Sequence, residues 1–265
     1  MDEFGENARG VHAVKLLGAR KDFTLDRLRD AAFDSWQPGF ATLVPTLVAA
    51  FDALPASARK TRLAEPIAML RAWDHRWAAE SVPTSLAIFW ADRLMQDLAP
   101  EVRARRNQLP ASLAERTSAA QKLAALEEAL ARLQREFGRW QMPWGEINRF
   151  QRLTGDIVQP FTDAGPSIAV PFPSALWGSL ASFGAKPYPG TKKWYGTSGN
   201  SFVAIVEFGP RVRARAVSAG GESGDPKSPH FNDQAQRYAD GNFRPVYFYP
   251  DELAGHVERR YRPGE

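Results

Sequence analysis

The chain has 265 residues, of which 44% are hydrophobic and 24% are charged, which is an ordinary globular composition. It contains no cysteine, which excludes disulfides, thiol catalysis and zinc–thiolate sites. A net charge of +4 gives little reason to expect nucleic acid as a partner. No run approaches the ~18 apolar residues of a membrane span, and the acidic, polar first ten residues do not resemble a signal peptide.

The first region, residues 1–140, is predicted to be helical. Thr24 is suited to cap a helix that begins immediately after it. Apolar residues recur at helical spacing from Phe40 to Phe51 and define one buried face. Pro45 lies inside that pattern, so the helix either kinks there or begins near Val44.

Three further helix starts are predicted before residue 140. Pro66 is expected to open one helix at its first turn, and Ser81 to cap the next. Ser112-x-x-Glu115 has the form of a capping box for the most clearly patterned helix, whose leucines lie three and four residues apart. Gly138 is expected to end that helix.

The second region, residues 141–265, is predicted to be rich in loops and antiparallel strands. Seven prolines lie between residues 142 and 196, a density that few helices survive. Residues 201–219 then alternate with a period of two on both sides of Gly209-Pro210, which predicts an antiparallel hairpin. Phe202 and Phe208 share one face, and we expect that face to be buried. A short helix over 233–240 and a last strand over 245–249 follow.

Several separated motifs of this second region carry a family resemblance. They are Pro143-Trp144-Gly145-Glu146, Gly199-Asn200-Ser201-Phe202, Val206-Glu207-Phe208-Gly209, and the loop Ser223-Gly224-Asp225-Pro226 with Ser228-Pro229-His230-Phe231-Asn232-Asp233-Gln234. In this order they resemble the C-terminal end of the β chain of penicillin-acylase-type amidases, which are N-terminal-nucleophile (Ntn) hydrolases. The family includes penicillin acylases and acyl-homoserine-lactone acylases. Its chains are much longer than this one.

The resemblance implies an α+β fold, with a helical first half followed by antiparallel strands, as part of an Ntn-hydrolase αββα architecture. The two regions are then expected to form one incomplete domain of a larger enzyme. The implied partner is the upstream part of the same precursor, which is the α chain with the N-terminal part of the β chain. The implied location is periplasmic or secreted, although this chain carries no signal.

The resemblance also implies a catalytic apparatus that this chain is expected to lack. The family uses a serine at the N-terminus of its β chain, whose own α-amino group is the general base. An asparagine contributes to the oxyanion hole. Residue 1 here is Met1, so the nucleophile and that asparagine are both expected upstream. Ser201 follows an asparagine within a strand motif, and we do not expect it to be a nucleophile.

Arg9 is the one candidate neighbour of the active site. It lies at the place where the family carries an arginine close to the site, in Asn7-Ala8-Arg9-Gly10. A planar guanidinium there suits the orientation of an acyl chain or a carboxylate. A surface arginine near a chain end is the alternative interpretation, and the sequence does not separate the two.

Asp225, His230 and Asp233 form the second cluster of polar residues. Histidine beside carboxylates can bind a metal or form a proton relay. The stronger interpretation is structural, because Ser-Pro-His-Phe is a rigid turn whose side chains commonly bond loop backbone groups. Asp74 and His75 are likewise interpreted as a helix-surface pair. No cofactor or metal site is assigned to this chain, and the calcium that the family often holds is expected to bind upstream.

Arg211, Arg213 and Arg215 line one strand face. No aromatic residues alternate with them to stack on bases, so we expect them to meet carboxylates or solvent rather than nucleic acid. The predicted function is therefore that of part of an enzyme that hydrolyses linear amides. Its substrate would be a small acylated amine such as a penicillin side chain or an acyl-homoserine lactone. The alternative is a non-catalytic binding or structural module derived from the same fold.

Overall fold

The first half of the chain is a set of packed helices. The computed structural model describes residues 6–262 and residue 264. The helices are α1 (Ala8–Gly18), α2 (Leu25–Ala32), α3 (Pro38–Asp52), α4 (Ala58–Ala72), α5 (Val82–Leu94), α6 (Pro100–Ala104), α7 (Leu109–Arg116) and α8 (Ala119–Phe137). Within the described residues, no helix is both long enough and apolar enough to cross a membrane.

Three of the predicted helix boundaries are confirmed. The side chain of Thr24 accepts a hydrogen bond from the backbone N–H of Arg27 and caps α2. Ser81 caps α5 in the same way through the N–H of Thr84. Gly138 ends α8 in the left-handed conformation, with φ of 80°, which glycine adopts without a Cβ penalty.

The helix starts predicted at Pro66 and Ser112 are wrong, and so is the alternative that the helix of Pro45 begins near Val44. α3 runs through Pro45 and begins at Pro38, and α4 runs through Pro66 and begins after the cap Ser57. Both inner prolines lie within helices whose apolar faces are buried, and that packing outweighs the lost hydrogen bond. The capping box forms at Ser118 with Gln121 rather than at Ser112 with Glu115. Ser112 instead lies inside α7, which Pro110 opens at its first turn.

The second half contains short strands in two sheets. Its elements are α9 (Trp144–Ile147), β1 (Asn148–Phe150), β2 (Ile168–Ala169), β3 (Phe183–Pro187), β4 (Trp194–Gly199), β5 (Phe202–Glu207), β6 (Arg213–Ser218), α10 (Ala235–Asp240), β7 (Arg244–Val246) and α11 (Pro250–Leu253). The first sheet has the order β2-β1-β4-β3, and the second has the order β5-β6-β7. Pairing is antiparallel except between β1 and β4, which run parallel. The predicted α+β fold class is confirmed.

Aromatic side chains join the helices to the first sheet. Trp194 of β4 stacks on Phe89 of α5 with ring centroids 4.9 Å apart, and Trp144 meets Trp194 edge-on at 5.9 Å. Phe40 of α3 stacks on Trp177 at 4.5 Å. These residues belong to one continuous buried cluster, so the core of the helical half extends into the loop-rich half.

The hairpin forms as predicted, but its buried face was assigned wrongly. β5 pairs with β6 in antiparallel register, with Phe202 opposite Ser218 and Glu207 opposite Arg213. Phe202 is 61% exposed and Phe208 is 84% exposed, whereas Ile205 on the opposite face is 5% exposed. Alternation defines two faces without saying which one faces the core. Here Ile205 packs into a second buried cluster with Phe183 and Tyr238.

The corrected face generates a stability prediction. We expect Ile205→Ala to lower the free energy of unfolding by about 2–5 kcal/mol, because it removes buried methyl groups and leaves a cavity. Phe202→Ala, on the exposed face of the same strand, should lower it by less than about 1 kcal/mol. Denaturant unfolding of both variants measures the two losses. A larger loss for Phe202→Ala than for Ile205→Ala would contradict the face seen here.

Candidate functional site

Arg9 is held against the second half of the chain. It lies in the first turn of α1, whose N-cap Asn7 accepts a hydrogen bond from the N–H of Gly10 at 2.8 Å. Its Nη2 donates to the carbonyl oxygen of Leu180 at 2.6 Å and lies 3.4 Å from Oδ1 of Asn200. Arg9 is therefore a half-buried, anchored side chain rather than a free surface arginine.

Asn200 forms a clasp between the end of β4 and the start of β3. Its Oδ1 accepts from the N–H of Ser182 at 2.8 Å, and its own N–H donates to the carbonyl oxygen of Ser182 at 2.9 Å. The preceding Gly199 has φ of 129°, and a Cβ there would lie 2.1 Å from that same carbonyl oxygen. Only glycine fits, so the Gly199-Asn200 motif has a local structural reason.

Ser201 follows this clasp at the exposed start of the hairpin. Its backbone carbonyl accepts from the N–H of Ala219 at 2.8 Å. Within the described residues its hydroxyl is not hydrogen-bonded to a base that would activate it. That Ser201 is not a nucleophile stays a prediction.

His12, which also lies in α1, contacts residues far from it in the sequence, and no motif marks it. Its ring is buried, with Nδ1 2.8 Å from the carbonyl oxygen of Gly178 and Nε2 3.0 Å from Oδ1 of Asp34. Burial opposes ionisation of Asp34, yet the N–H of Trp36 and the guanidinium of Arg76 hold its pKa below the ordinary value. A single histidine has no periodic pattern around it, so this contact could not be predicted from the sequence.

An opening of about 360 Å³ lies beside Arg9. Two arginines, Arg9 and Arg106, border it, and no carboxylate does. Its remaining lining residues are Asn7, Asn107, Ser174, Ala175 and Leu176. A planar guanidinium pairs well with carboxylates, so this opening suits an anionic group.

A second cavity of about 330 Å³ adjoins that opening and shares Arg106, Ser174 and Leu176 with it. Asp92 of α5 borders this cavity. Desolvation raises the pKa of the Asp92 carboxyl to about 7, although the nearby charges of Arg132 and Arg106 oppose the shift. Sequence patterning gave no sign of this carboxyl, because a charged Asp92-Arg93 pair near the end of α5 is typical of an exposed helix end.

Three residues that line this cavity each carry a buried polar atom without a partner among the described residues. The atoms are Nε1 of Trp144, Nε1 of Trp194 and Oδ1 of Asn148. The side-chain nitrogen of Asn148 donates to the carbonyl oxygens of Val170 at 2.8 Å and Phe172 at 3.2 Å, which fixes the amide orientation. Buried polar groups without partners are rare and call for an explanation.

The loop that contains Asp225, His230 and Asp233 lies at the surface. Nδ1 of His230 is 3.0 Å from Oδ2 of Asp233, and Nε2 is 3.2 Å from Oε2 of Glu258. These two carboxylates raise the pKa of His230. Oδ1 of Asp225 accepts from the N–H of Lys227 at 2.9 Å. The side chains thus bond within the loop or to the tail, and the structural role assigned to them stays a prediction.

The prediction that Asp74 and His75 form a pair on a helix surface is wrong. α4 ends at Ala72, and His75 lies in the following loop with φ of 59°. Its ring is tilted by 54° against that of Trp73, with the ring centroids 5.2 Å apart. Its carbonyl accepts from the N–H of Gln37 at 2.8 Å. The Trp73-to-Trp77 segment is thus a turn stabilised by tertiary contacts rather than a helix surface.

The strand arginines meet carboxylates, as expected. Arg211 pairs with Asp251 at 2.6 Å, Arg213 with Glu207 at 2.5 Å, and Arg215 with Asp26 at 2.6 Å. Over residues 6–262 and 264, no three or more histidine, aspartate or glutamate side chains converge as metal ligands would. The described residues therefore offer no cluster of carboxylates for a calcium ion.

Comparison with known proteins shows similarity to one family model and to solved structures. The model of the family described as penicillin amidase matches residues 1–255. The fold is similar to that of a thermostable penicillin G acylase from Alcaligenes faecalis, with a TM-score of 0.55 and 16% sequence identity. That match covers 96% of this chain and 52% of the acylase chain, so this chain spans about half the length of its structural relative.

The clasp generates a prediction that has a matched control. Gly190 also has a positive φ, of 84°, but a Cβ there would meet nothing within 4 Å. We expect Gly190→Ala to cost about 1–2 kcal/mol of stability through backbone strain alone. Gly199→Ala should cost about 1–3 kcal/mol more, because its Cβ would collide with the carbonyl of Ser182. Equal losses of unfolding free energy for Gly190→Ala and Gly199→Ala would contradict the close approach of Gly199 to the carbonyl of Ser182.

Asp92 generates a prediction about pH. Its folded-state pKa of about 7 lies above the ordinary 3.8, so folding favours the neutral carboxyl. The resulting stability is present below about pH 4 and is lost as pH rises through 7. At about 1.4 kcal/mol per pKa unit, the loss reaches up to about 4 kcal/mol.

The measurement is denaturant unfolding of the wild type and of Asp92→Asn between pH 4.5 and 8. The variant should gain stability relative to the wild type as pH rises, because it has no carboxyl to ionise there. Asp240→Asn, at the exposed end of α10, is the control and should track the wild type. A constant difference between wild type and Asp92→Asn across this range would contradict the assignment.

Proposed function

Because the chain belongs to the penicillin amidase family, we propose that it is the C-terminal portion of the β chain of an enzyme that hydrolyses linear amides. The observation that carries this proposal is the family match over residues 1–255, nearly the whole chain. The likeness in fold to a penicillin G acylase supports it. The substrate class is a small acylated amine, such as a penicillin side chain or an acyl-homoserine lactone.

The proposed reaction follows from the family resemblance. A serine hydroxyl at the N-terminus of the full β chain attacks the amide carbonyl, and its own α-amino group takes the proton. An asparagine side chain stabilises the negative oxygen that develops. The amine then leaves with a proton, and water releases the acid from the acyl-enzyme. The serine and the asparagine are proposed to lie upstream of Met1, which itself lies outside the described residues.

Arg9 is the proposed contribution of this chain to that site. Its bonds to Leu180 and Asn200 hold the guanidinium in one place, which a positioning group needs. The opening beside it carries a second cation, Arg106, and no carboxylate. We therefore assign Arg9 the role of orienting a carboxylate or the acyl chain of the substrate.

The proposed partner is the upstream part of the same precursor, on the exposed face of the second sheet. Large apolar side chains cover that face and its continuation: Phe202, Val206, Phe208, Val246 and Phe248 are each more than a third exposed. Contiguous exposed apolar surface is typical of an interface. A periplasmic or secreted location is proposed from the family alone.

A non-catalytic module is the second candidate function. The upstream coding sequence separates the two candidates. A Gly-Ser-Asn autocleavage site followed by an asparagine-bearing segment supports the hydrolase, and an unrelated sequence supports the module.

The hydrolase proposal predicts a difference in activity between two polypeptides. Residues 1–265 alone should hydrolyse neither phenylacetyl amides nor acyl-homoserine lactones above background, because the nucleophile and the oxyanion donors act as a unit. The chain joined to its upstream segment should mature by self-cleavage and become active. In that active protein Arg9→Ala should lower kcat/KM by about tenfold or more, and Arg9→Lys should restore only part of it.

The control is His230→Ala, which should act through stability and leave the kcat/KM of the folded fraction unchanged. Turnover by residues 1–265 alone that Ser201→Ala abolishes would overturn the proposal. If the full protein is active and Arg9→Ala leaves its kcat/KM unchanged, Arg9 has no role in the site, but the hydrolase proposal still stands.

The partner proposal predicts dye binding to the exposed sheet face. Residues 1–265 alone should enhance the fluorescence of an apolar dye such as anilinonaphthalene sulfonate, and Phe208→Ser with Phe248→Ser should reduce it. The matured full protein should show little enhancement, because the upstream part covers the face. Strong dye binding by the full protein that the double variant reduces would contradict this placement.

A further inference from the structure

Two side chains of α1 bond to the same short segment of the second half. Nη2 of Arg9 donates to the carbonyl oxygen of Leu180 at 2.6 Å, and Nδ1 of His12 lies 2.8 Å from the carbonyl oxygen of Gly178. The two side chains are three residues apart and therefore lie on one face of the helix. Whatever fixes the ring of His12 consequently also fixes the place from which Arg9 reaches the second half.

The segment that receives these two side chains, residues 178–182, is itself held in place. Gly178 has φ of 99°, and a Cβ there would lie 2.4 Å from Cδ of Pro38 at the start of α3. At the other end of the segment, the N–H of Ser182 donates to Oδ1 of Asn200 at 2.8 Å. The carbonyl oxygens of this segment therefore offer acceptors at defined positions.

The other side of the His12 ring is bonded to the helical half. Nε2 lies 3.0 Å from Oδ1 of Asp34, in the loop after α2. Burial favours the neutral acid, but the N–H of Trp36 and the guanidinium of Arg76 outweigh it and hold the pKa of Asp34 below its ordinary value. This carboxyl is therefore ionised and only accepts hydrogen bonds. The His12 ring is 2% exposed, so both of its bonds are shielded from water.

Both nitrogens of the ring thus face oxygens that cannot donate. A neutral imidazole has one N–H and one nitrogen with a bare lone pair. A neutral His12 would direct that lone pair at the carbonyl of Gly178 or at the carboxylate of Asp34, and one of the two bonds would be lost. The imidazolium donates to both oxygens, and hydrogen bonds from a charged donor are the stronger kind.

From this geometry we propose that His12, in its doubly protonated form, is a positioning residue for Arg9. It fastens α1 to both halves of the chain and so holds the guanidinium of Arg9 on Leu180. When the pH rises and the ring releases a proton, one bond is lost and α1 loosens. The effect on catalysis rests on the proposed hydrolase function, whereas the fastening of α1 does not, because its bonds lie within the chain itself.

The charged groups around the ring determine which titration matters. Four charged side chains line the same opening as His12: Lys15, Asp34, Asp74 and Arg76. The other segments packed against α1, residues 38–51 and 175–182, carry no charged side chain. Arginine, lysine and aspartate ordinarily keep their charge between pH 5.5 and 8.5, whereas histidine titrates within that range. The pH dependence of the α1 anchor is therefore assigned to His12.

NMR of the histidine ring nitrogens in the 265-residue chain tests the protonation state. The chain has four histidines, and His75→Gln, His230→Gln and His256→Gln assign the other three rings, so the wild type decides even if His12→Gln does not fold. At pH 5.5 we expect a hydrogen on each nitrogen of His12, exchanging slowly with water because the ring is buried. The exposed ring of His256 should exchange fast. A single hydrogen on the His12 ring at pH 5.5 would overturn the proposal.

Hydrogen exchange of the α1 backbone amides tests whether the ring fastens the helix. Protection from exchange should be about tenfold greater in the wild type than in His12→Gln at pH 5.5, since glutamine replaces two charge-assisted bonds with one neutral donor. The ratio should fall below about threefold at pH 8.5, where the neutral ring also has one donor. Effects common to both chains, such as ionisation of Asp92, cancel in this ratio. His256→Gln is the control and should match the wild type. A ratio that does not fall as the pH rises would contradict the proposal.

The matured full protein should show coupling between His12 and Arg9 in kcat/KM. At pH 6 we expect His12→Gln to lower kcat/KM by about threefold to tenfold beside Arg9 and to have no effect beside Arg9→Ala, because it acts through that guanidinium. The loss should shrink toward pH 8.5. Equal losses in both backgrounds would overturn the positioning role. If the full protein is inactive, the proposed function fails, and the two measurements on the 265-residue chain still decide whether His12 fastens α1.

Discussion

The aromatic contact between the helical half and the first sheet is the interaction on which the rest of the structure depends. Trp194 of β4 stacks on Phe89 of α5, and Phe40 of α3 stacks on Trp177. Each such side chain buries a large apolar area and fixes the relative orientation of the elements that carry it. The short strands of the second half have few partners of their own, so the helical core supplies the surface on which they are ordered.

That contact also positions the two cavities. Trp144 and Trp194 belong to the buried core and also line the cavity beside Asp92. Arg9 reaches the same region from α1 through Leu180 and the Asn200 clasp. The candidate site is thus assembled from both halves of the chain, and its geometry depends on their packing rather than on any one loop.

The sequence predicted those features that local chemistry determines. Thr24, Ser81 and Gly138 mark helix ends through their own side chain or lack of one, and the alternation in residues 201–219 specifies a hairpin whatever surrounds it. Prediction from the sequence failed where contacts between distant residues determine the structure. Burial of Ile205 instead of Phe202 depends on which face meets the core, and Pro66 is tolerated inside α4 because packing outweighs one hydrogen bond. Asp92 and His12 have no periodic or motif signal at all, since their roles arise from groups distant in sequence.

The central claim is that this chain forms part of an amide hydrolase whose nucleophile comes from the segment before it. Labelling the matured full protein with a sulfonyl fluoride, followed by peptide mass spectrometry, tests that claim most directly. We expect one modified serine, at the N-terminus of the full β chain, and no modified residue among positions 1–265. A stoichiometric label on Ser201, or on any other residue of this chain, together with loss of activity, would contradict the account.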